Sequence, residues 1–129
     1  MPRPRKTAAS LLLMILLASP CVGQNISDAR DALDKYSSAL QSLDANAVKK
    51  VQPSINADNL AKAFRAMREL KVEIDDIKVL SMDVSTMRVS CRVTQTLTPK
   101  AGSRQTSAVS RVIRLRRDAG IWVIDAFER

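Results

Sequence analysis

Histidine is absent from the 129 residues, and cysteine occurs only twice, as Cys21 and Cys91. Without His, the commonest general base, proton shuttle and zinc ligand is missing, and no imidazole can activate a thiol. Three glycines are too few for a Gly-rich phosphate cradle. Aromatic residues make up 3% of the chain, namely Phe64, Phe127, Tyr36 and Trp122, which leaves little on which nucleic acid bases could stack. A metal centre is not expected, because "EIDD" (Glu73 to Asp76) alone is no ligand loop and reads as a solvated strand edge. No cofactor is expected either.

Acid is missing from the first 23 residues, which carry Arg3, Arg5 and Lys6. "MPRPRK" is a cationic start, "AASLLLMILLAS" an apolar run, and "PCVGQ" a small-residue segment broken by Pro20. The run is about ten to twelve residues against the roughly twenty needed to span a bilayer, so it predicts a cleaved signal peptide rather than a retained anchor helix. Cleavage is placed between Gly23 and Gln24, dividing the chain into a signal peptide, 1–23, and one domain, 24–129. The rival fate is lipidation at Cys21, against which Pro20 stands where such signals want a small residue. Export to the periplasm or beyond follows, with membrane contact only through an uncleaved leader or a lipidated Cys21. The formal charge is +8; outside the leader 18 cations face 13 acids, leaving +5. Cys91 is then alone, and its apolar alternates predict a buried, inert thiol.

Within the domain, "NISDARDALDKYSSALQSL" sets Ile26, Ala29, Leu33, Tyr36, Leu40 and Leu43 at steps of three and four, the stripe of an amphipathic helix. Asp44 caps a short second helix stopped at Pro53. The third is expected over "NLAKAFRAMREL", with Leu60, Ala63, Phe64, Met67 and Leu70 inward. From Lys71 the period becomes two. "VEIDDIKVLSMDV" alternates loosely, as a bulged strand does. In "MRVSCRVTQTL", Met87, Val89, Cys91, Val93, Gln95 and Leu97 share a face. After a loop at "TPKAGSR", a third strand "QTSAVSRVIRLRR" carries Val109, Ile113 and Leu115 on one face. "DAG" turns into the last, "IWVIDAF". Helices first and a meander of four strands afterwards predict an α+β domain, its N-terminal helices packed on a curved antiparallel sheet.

Strict alternation along the last strand puts Asp125 with Ile121, Val123 and Phe127, opposite Trp122, Ile124 and Ala126. Both faces then look apolar, which predicts a central strand covered on its second side by another subunit, a homodimer through the sheet face. A carboxylate so placed must pair or protonate; a buried cross-strand ion pair between Asp125 and Arg111 is expected, with Arg92 as another cation in reach. The cluster Arg111, Arg114, Arg116 and Arg117, with Arg88 and Arg92, reads as an edge-protecting, solvated set rather than a nucleic acid site; an anionic surface is its best electrostatic partner.

The junction "SLDANAV", the helix "NLAKAFRAM" and the closing Gly120, Trp122 and Ile124 pattern in "GIWVIDAF" resemble the nuclear transport factor 2-like superfamily, which shares the cone (cystatin-like) fold of ketosteroid isomerase and the polyketide cyclases. The stretch "RVSCRVTQTLTPKAGSRQTSAVSRVIRLRR" is similar to exported bacterial domains, sometimes appended to serine/threonine kinases. The resemblance implies three helices against a curled sheet, a conical pocket between them, and dimerisation through the sheet. Leu33, Tyr36, Phe64, Met67 and Trp122 are the candidate pocket lining, and equally candidates for plain core. The expected function is an exported, non-catalytic domain of the bacterial envelope that binds a small apolar or amphipathic ligand or another protein. The alternatives are an isomerase or dehydratase using Asp125 or Tyr36 in the cone, and a structural dimerisation module. No catalytic residue is assigned.

Overall fold

A computed structural model describes residues 25–128; the expected leader, its cleavage point at Gly23 and Gln24, and Cys21 lie outside the described residues. Helix α1 runs through 25–41, followed by α2 (Ala45–Val51) and α3 (Ala57–Arg65). Then come β1 (Met67–Met82), β2 (Thr86–Pro99), β3 (Gln105–Asp118) and β4 (Ile121–Glu128), antiparallel and in sequential order. The α+β meander read from the sequence is the observed architecture. No helix among the described residues is long and apolar enough to cross a membrane.

The short helices start on side-chain caps. Asp44 accepts from the Asn46 N–H at 3.0 Å and Asn56 from the Asn59 N–H at 3.1 Å, each satisfying a donor the helix leaves free. Lys49 and Lys50 end α2, and Lys62 and Arg65 end α3, where cations suit the negative end of the helix dipole. Gln52, out of the helical region at φ −138° and ψ 78° before Pro53, stops α2.

Helix α3 is shorter than its sequence suggests. It ends at Arg65, and Met67 and Leu70 belong to β1. Phe64, Met67 and Leu70 fit a helical stripe, but a local bulge between Met67 and Glu69 lets the same residues enter a strand. Pairing of Leu70 with Leu97 and Val72 with Gln95 supplies a continuous ladder that the local pattern could not reveal.

The irregularity expected in β1 is real: the register slips between Asp75 and Lys78 and again between Val79 and Ser81, with Asp76 at φ 53°. Each slip adds twist, which curls the long edge strand around the helices. Gln41, near the end of α1, accepts the Val72 N–H at 3.1 Å and so ties the helix to the free edge of β1. The core lies between α1 and the concave face. Ala29, Ala32 and Ala39 let the helix approach closely over Leu33, Met87, Val89, Ile113, Leu115 and Ile124, the last six exposed by no more than 1%.

Candidate functional site

Alternation along β2 and β3 carries two kinds of residue into the concavity. At one end, Met87, Val89, Ile113 and Leu115 fill it completely. At the other, Val93 pairs with Val109 and Cys91 with Arg111. A cavity of about 190 Å³ opens there, lined by Tyr36 of α1, Val93 and Gln95 of β2, Val109 and Arg111 of β3, and Phe127 of β4. Besides a cleft of about 210 Å³ along β2 and β3 that Arg111 also borders, two larger clefts, of about 480 and 470 Å³, lie outside α2 and α3 and beside the β1–β2 hairpin. Both are more open to solvent, and neither reaches the concave face between α1 and the sheet.

The aromatic rings of Tyr36 and Phe127 meet at 5.9 Å between centroids, tilted by 46°, a favourable arrangement of two rings. Burial pushes the Tyr36 hydroxyl up to about 12, and the positive charge of Arg111 partly opposes that rise. At neutral pH the hydroxyl therefore keeps its proton and can donate it in a hydrogen bond. Val109 and Phe127 remain 45% and 37% exposed at this cavity, so apolar surface is left uncovered around it. The lining residues provide two aromatic rings, two valines, an amide, a neutral phenol and one guanidinium, and no carboxylate.

Asp125 is elsewhere. Arg114 pairs with Ala126 and Leu115 with Ile124, so Asp125 is the extra residue of a β-bulge. Its carboxylate stands 3.5 Å from Arg116 Nε and 3.9 Å from Arg114 Nη1, on the convex face with a side chain one-third exposed. The 3.5 Å contact is electrostatic rather than a well-aligned hydrogen bond, since Arg116 Nε has no hydrogen-bond partner. The expected buried pair of Asp125 with Arg111 is thus corrected: the partners are Arg114 and Arg116, and Arg111 faces the concavity. Asp125 is correspondingly not a pocket carboxylate. Its backbone carbonyl accepts from Ser54 Oγ at 3.3 Å, holding the α2–α3 connection against the bulge.

The same bulge corrects the face assignment of β4. Phe127 comes opposite Ile113 and turns inward, while Trp122 and Ile124 are inward before the bulge. Val123 is buried outside the core cluster. The apparent apolarity of both faces therefore reflects a change of parity, and the expected central strand is corrected: β4 lies at the edge of the sheet. The convex face instead carries charge: Arg88 donates two hydrogen bonds, 2.8 and 2.9 Å long, to the Glu128 carboxylate, which is held below the usual carboxylate range mainly by that bond.

Of the five candidate lining residues, Tyr36 alone reaches the cavity. Leu33 is fully buried core, and Met67 packs against the core at the start of β1. Phe64 sits beneath the cleft of α2 and α3, and Trp122 lies under the Arg117 guanidinium, 4.7 Å from its ring centroid. Val93, Gln95 and Val109 were legible as inward residues of their strands but were not identified as lining. Phe127 required the bulge to be known. Cys91 is buried, and burial raises its pKa, in line with an inert thiol. Among the described residues no group of acids and cysteines is arranged to hold a metal ion.

No protein-family model matches the sequence, and no curated protein is significantly similar to it. Solved structures share the fold. A Novosphingobium aromaticivorans protein described as nuclear transport factor 2-like with a cystatin-like fold is 15% identical, with 90% of this chain and 87% of that chain covered and a TM-score of 0.66. A protein from the same organism, proposed to be a scytalone dehydratase, is 10% identical over 85% of each chain, with a TM-score of 0.72. A ketosteroid isomerase-like protein from Erwinia carotovora atroseptica is 20% identical, with 79% of this chain and 92% of that chain covered and a TM-score of 0.57. At these identities the likeness establishes the nuclear transport factor 2-like cone fold, as the sequence pattern suggested.

Proposed function

Starting from the nuclear transport factor 2-like fold, we propose that this chain is an exported binding domain that holds a small amphipathic ligand in the cavity between α1 and the sheet. The observation that carries this reading is the cavity itself. It is lined on four elements by Tyr36, Val93, Val109 and Phe127, with Gln95 and Arg111 as its polar groups. Concave, mostly apolar sites with a few convergent polar groups are where small molecules bind. Ligand cover would remove the exposed parts of Val109 and Phe127 from water, at about 25 cal/mol per Å² of apolar area. Export rests on the leader, 1–23, and the homodimer through the sheet rests on the resemblance.

The names of the solved neighbours favour a second reading, an isomerase or dehydratase. In that reading the neutral Tyr36 hydroxyl would stabilise developing negative charge. It also needs a base, which the six lining residues do not include, so the base would have to come from the ligand or from water.

Native mass spectrometry of the chain recovered gently from expression with its own leader tests these readings together. The binding domain predicts a species with extra mass that disappears on denaturation, cut between Gly23 and Gln24. A bare protein, together with failure of small aromatic or aliphatic compounds to perturb the NMR signals of Val93, Val109 and Phe127, would refute it.

A further inference from the structure

The cations of the sheet are unequally satisfied. Arg88 is bound bidentately by Glu128, and Arg114 and Arg116 share Asp125. Asp76, which borders a neighbouring cleft with Arg111, has Lys78 at 4.0 Å instead. Arg111 makes no ion pair among the described residues, and it is the cation at the cavity. The Tyr36 hydroxyl, which feels the charge of Arg111, can also donate to an anion; the Gln95 amide lies farther along β2, beyond the Val93–Val109 pair. The rest of the lining is mostly apolar: Val93 and Val109, paired across the strands next to Arg111, and the tilted pair Tyr36 and Phe127. The site thus sets a single guanidinium beside aromatic and aliphatic carbon.

From this arrangement we propose that the ligand is a compact organic monocarboxylate, its ring or short chain among Val93, Val109 and Phe127 and its carboxylate on Arg111. The inference rests on the binding reading above and adds the chemical class. A guanidinium matches a carboxylate in a planar, two-point contact, and one cation balances one negative charge. A dianionic phosphate would keep half its charge uncompensated at a half-apolar mouth. The volume sets the size: a cavity of about 150 Å³ accepts benzene, so about 190 Å³ suits one ring or a chain of similar bulk.

The experiment compares phenylacetate with phenylacetamide, which has nearly the same shape and no charge, by NMR titration of the full chain at low salt. Phenylacetate is expected to bind about tenfold more tightly, the scale of one charge-assisted contact, and to lose that advantage in high salt. In Arg111→Gln the preference should fall to within about twofold; the residue is exposed, so folding should be preserved and is checked by thermal unfolding. Equal binding of both compounds, or a preference that survives in Arg111→Gln, overturns the carboxylate assignment and leaves the binding cavity standing. Failure of both compounds to bind overturns the assignment, and if the chain also emerges bare from native mass spectrometry the cavity reading falls with it.

Discussion

Tyr36 is the only tyrosine in the chain, so tyrosinate absorbance reports its ionisation alone. Its midpoint is expected at about 12 rather than the ordinary 10.0, because burial disfavours the phenolate. A stopped-flow pH jump, read before alkaline unfolding, measures it. Arg111→Gln removes the charge that partly opposes the rise, so the midpoint should move higher still. A wild-type midpoint near 10 would mean that the ring is solvated and that no cavity closes around it. The residue scale also separates what was legible from what was not. That Tyr36 faces the interior follows from its place in the stripe with Leu33 and Leu40. That Arg111, six residues before Arg117 in a run of arginines, is the cation at the cavity does not follow, because alternation gives its face but not what stands opposite it.

At the scale of elements, the β3–β4 turn carries a residue in an awkward conformation. Asp118 pairs with Ile121, and the two residues between them, Ala119 and Gly120, have φ of 51° and 81°. Two-residue hairpins with both central φ positive favour Asn-Gly, and alanine in the left-handed region costs about 1–2 kcal/mol. Ala119→Asn should therefore stabilise the protein by about 0.5–1 kcal/mol. Gly120→Ala should destabilise it by about 1 kcal/mol through the backbone alone, since a Cβ there would meet nothing within 4 Å. Urea denaturation of both variants checks the pair of signs. The turn itself was legible from "DAG", but the bulge at Asp125 was not: a single inserted residue has no composition of its own. It reversed the face of Phe127, and with it the argument that β4 is apolar on both sides. The early end of α3 has a similar origin, because apolar residues spaced by three satisfy a helix or a bulged strand equally well.

The whole molecule depends on one packed region between α1 and the sheet. Leu115 is fully buried and lies between Met87 and Ile124 across the sheet. Leu115→Ala should cost about 2–5 kcal/mol, a large share of the roughly 5–15 kcal/mol that holds a domain together. By contrast, Val84→Ala in the exposed β1–β2 hairpin should stay within about 0.5 kcal/mol. Chemical denaturation of the two variants distinguishes core from surface. Acid should act through carboxylates whose folded pKa values are depressed. Asp83 is held below 3.8 first by the backbone N–H groups of Ser85 and Thr86, and Glu128 below 4.5 by Arg88. Their contributions are fully present above those unfolded values and are lost as pH falls through the lower folded ones. Stability should thus decline below about pH 4.5, and Asp83→Asn with Glu128→Gln should make the decline shallower. Denaturation midpoints measured between neutral and strongly acidic pH test this.

The order of elements, the antiparallel meander, the Asp44 cap of α2 and the inward faces of α1, β2 and β3 can all be read along the chain. Those features are local: periodicity, caps and turns act between residues a few positions apart. Where α3 gives way to β1, which arginines meet Asp125, and which side chains border the cavity emerge only once the strands are paired. Each of those depends on register between strands distant in sequence. One inserted residue in β4 changes which groups face each other across the sheet while leaving the hydrophobic pattern on either side almost unchanged.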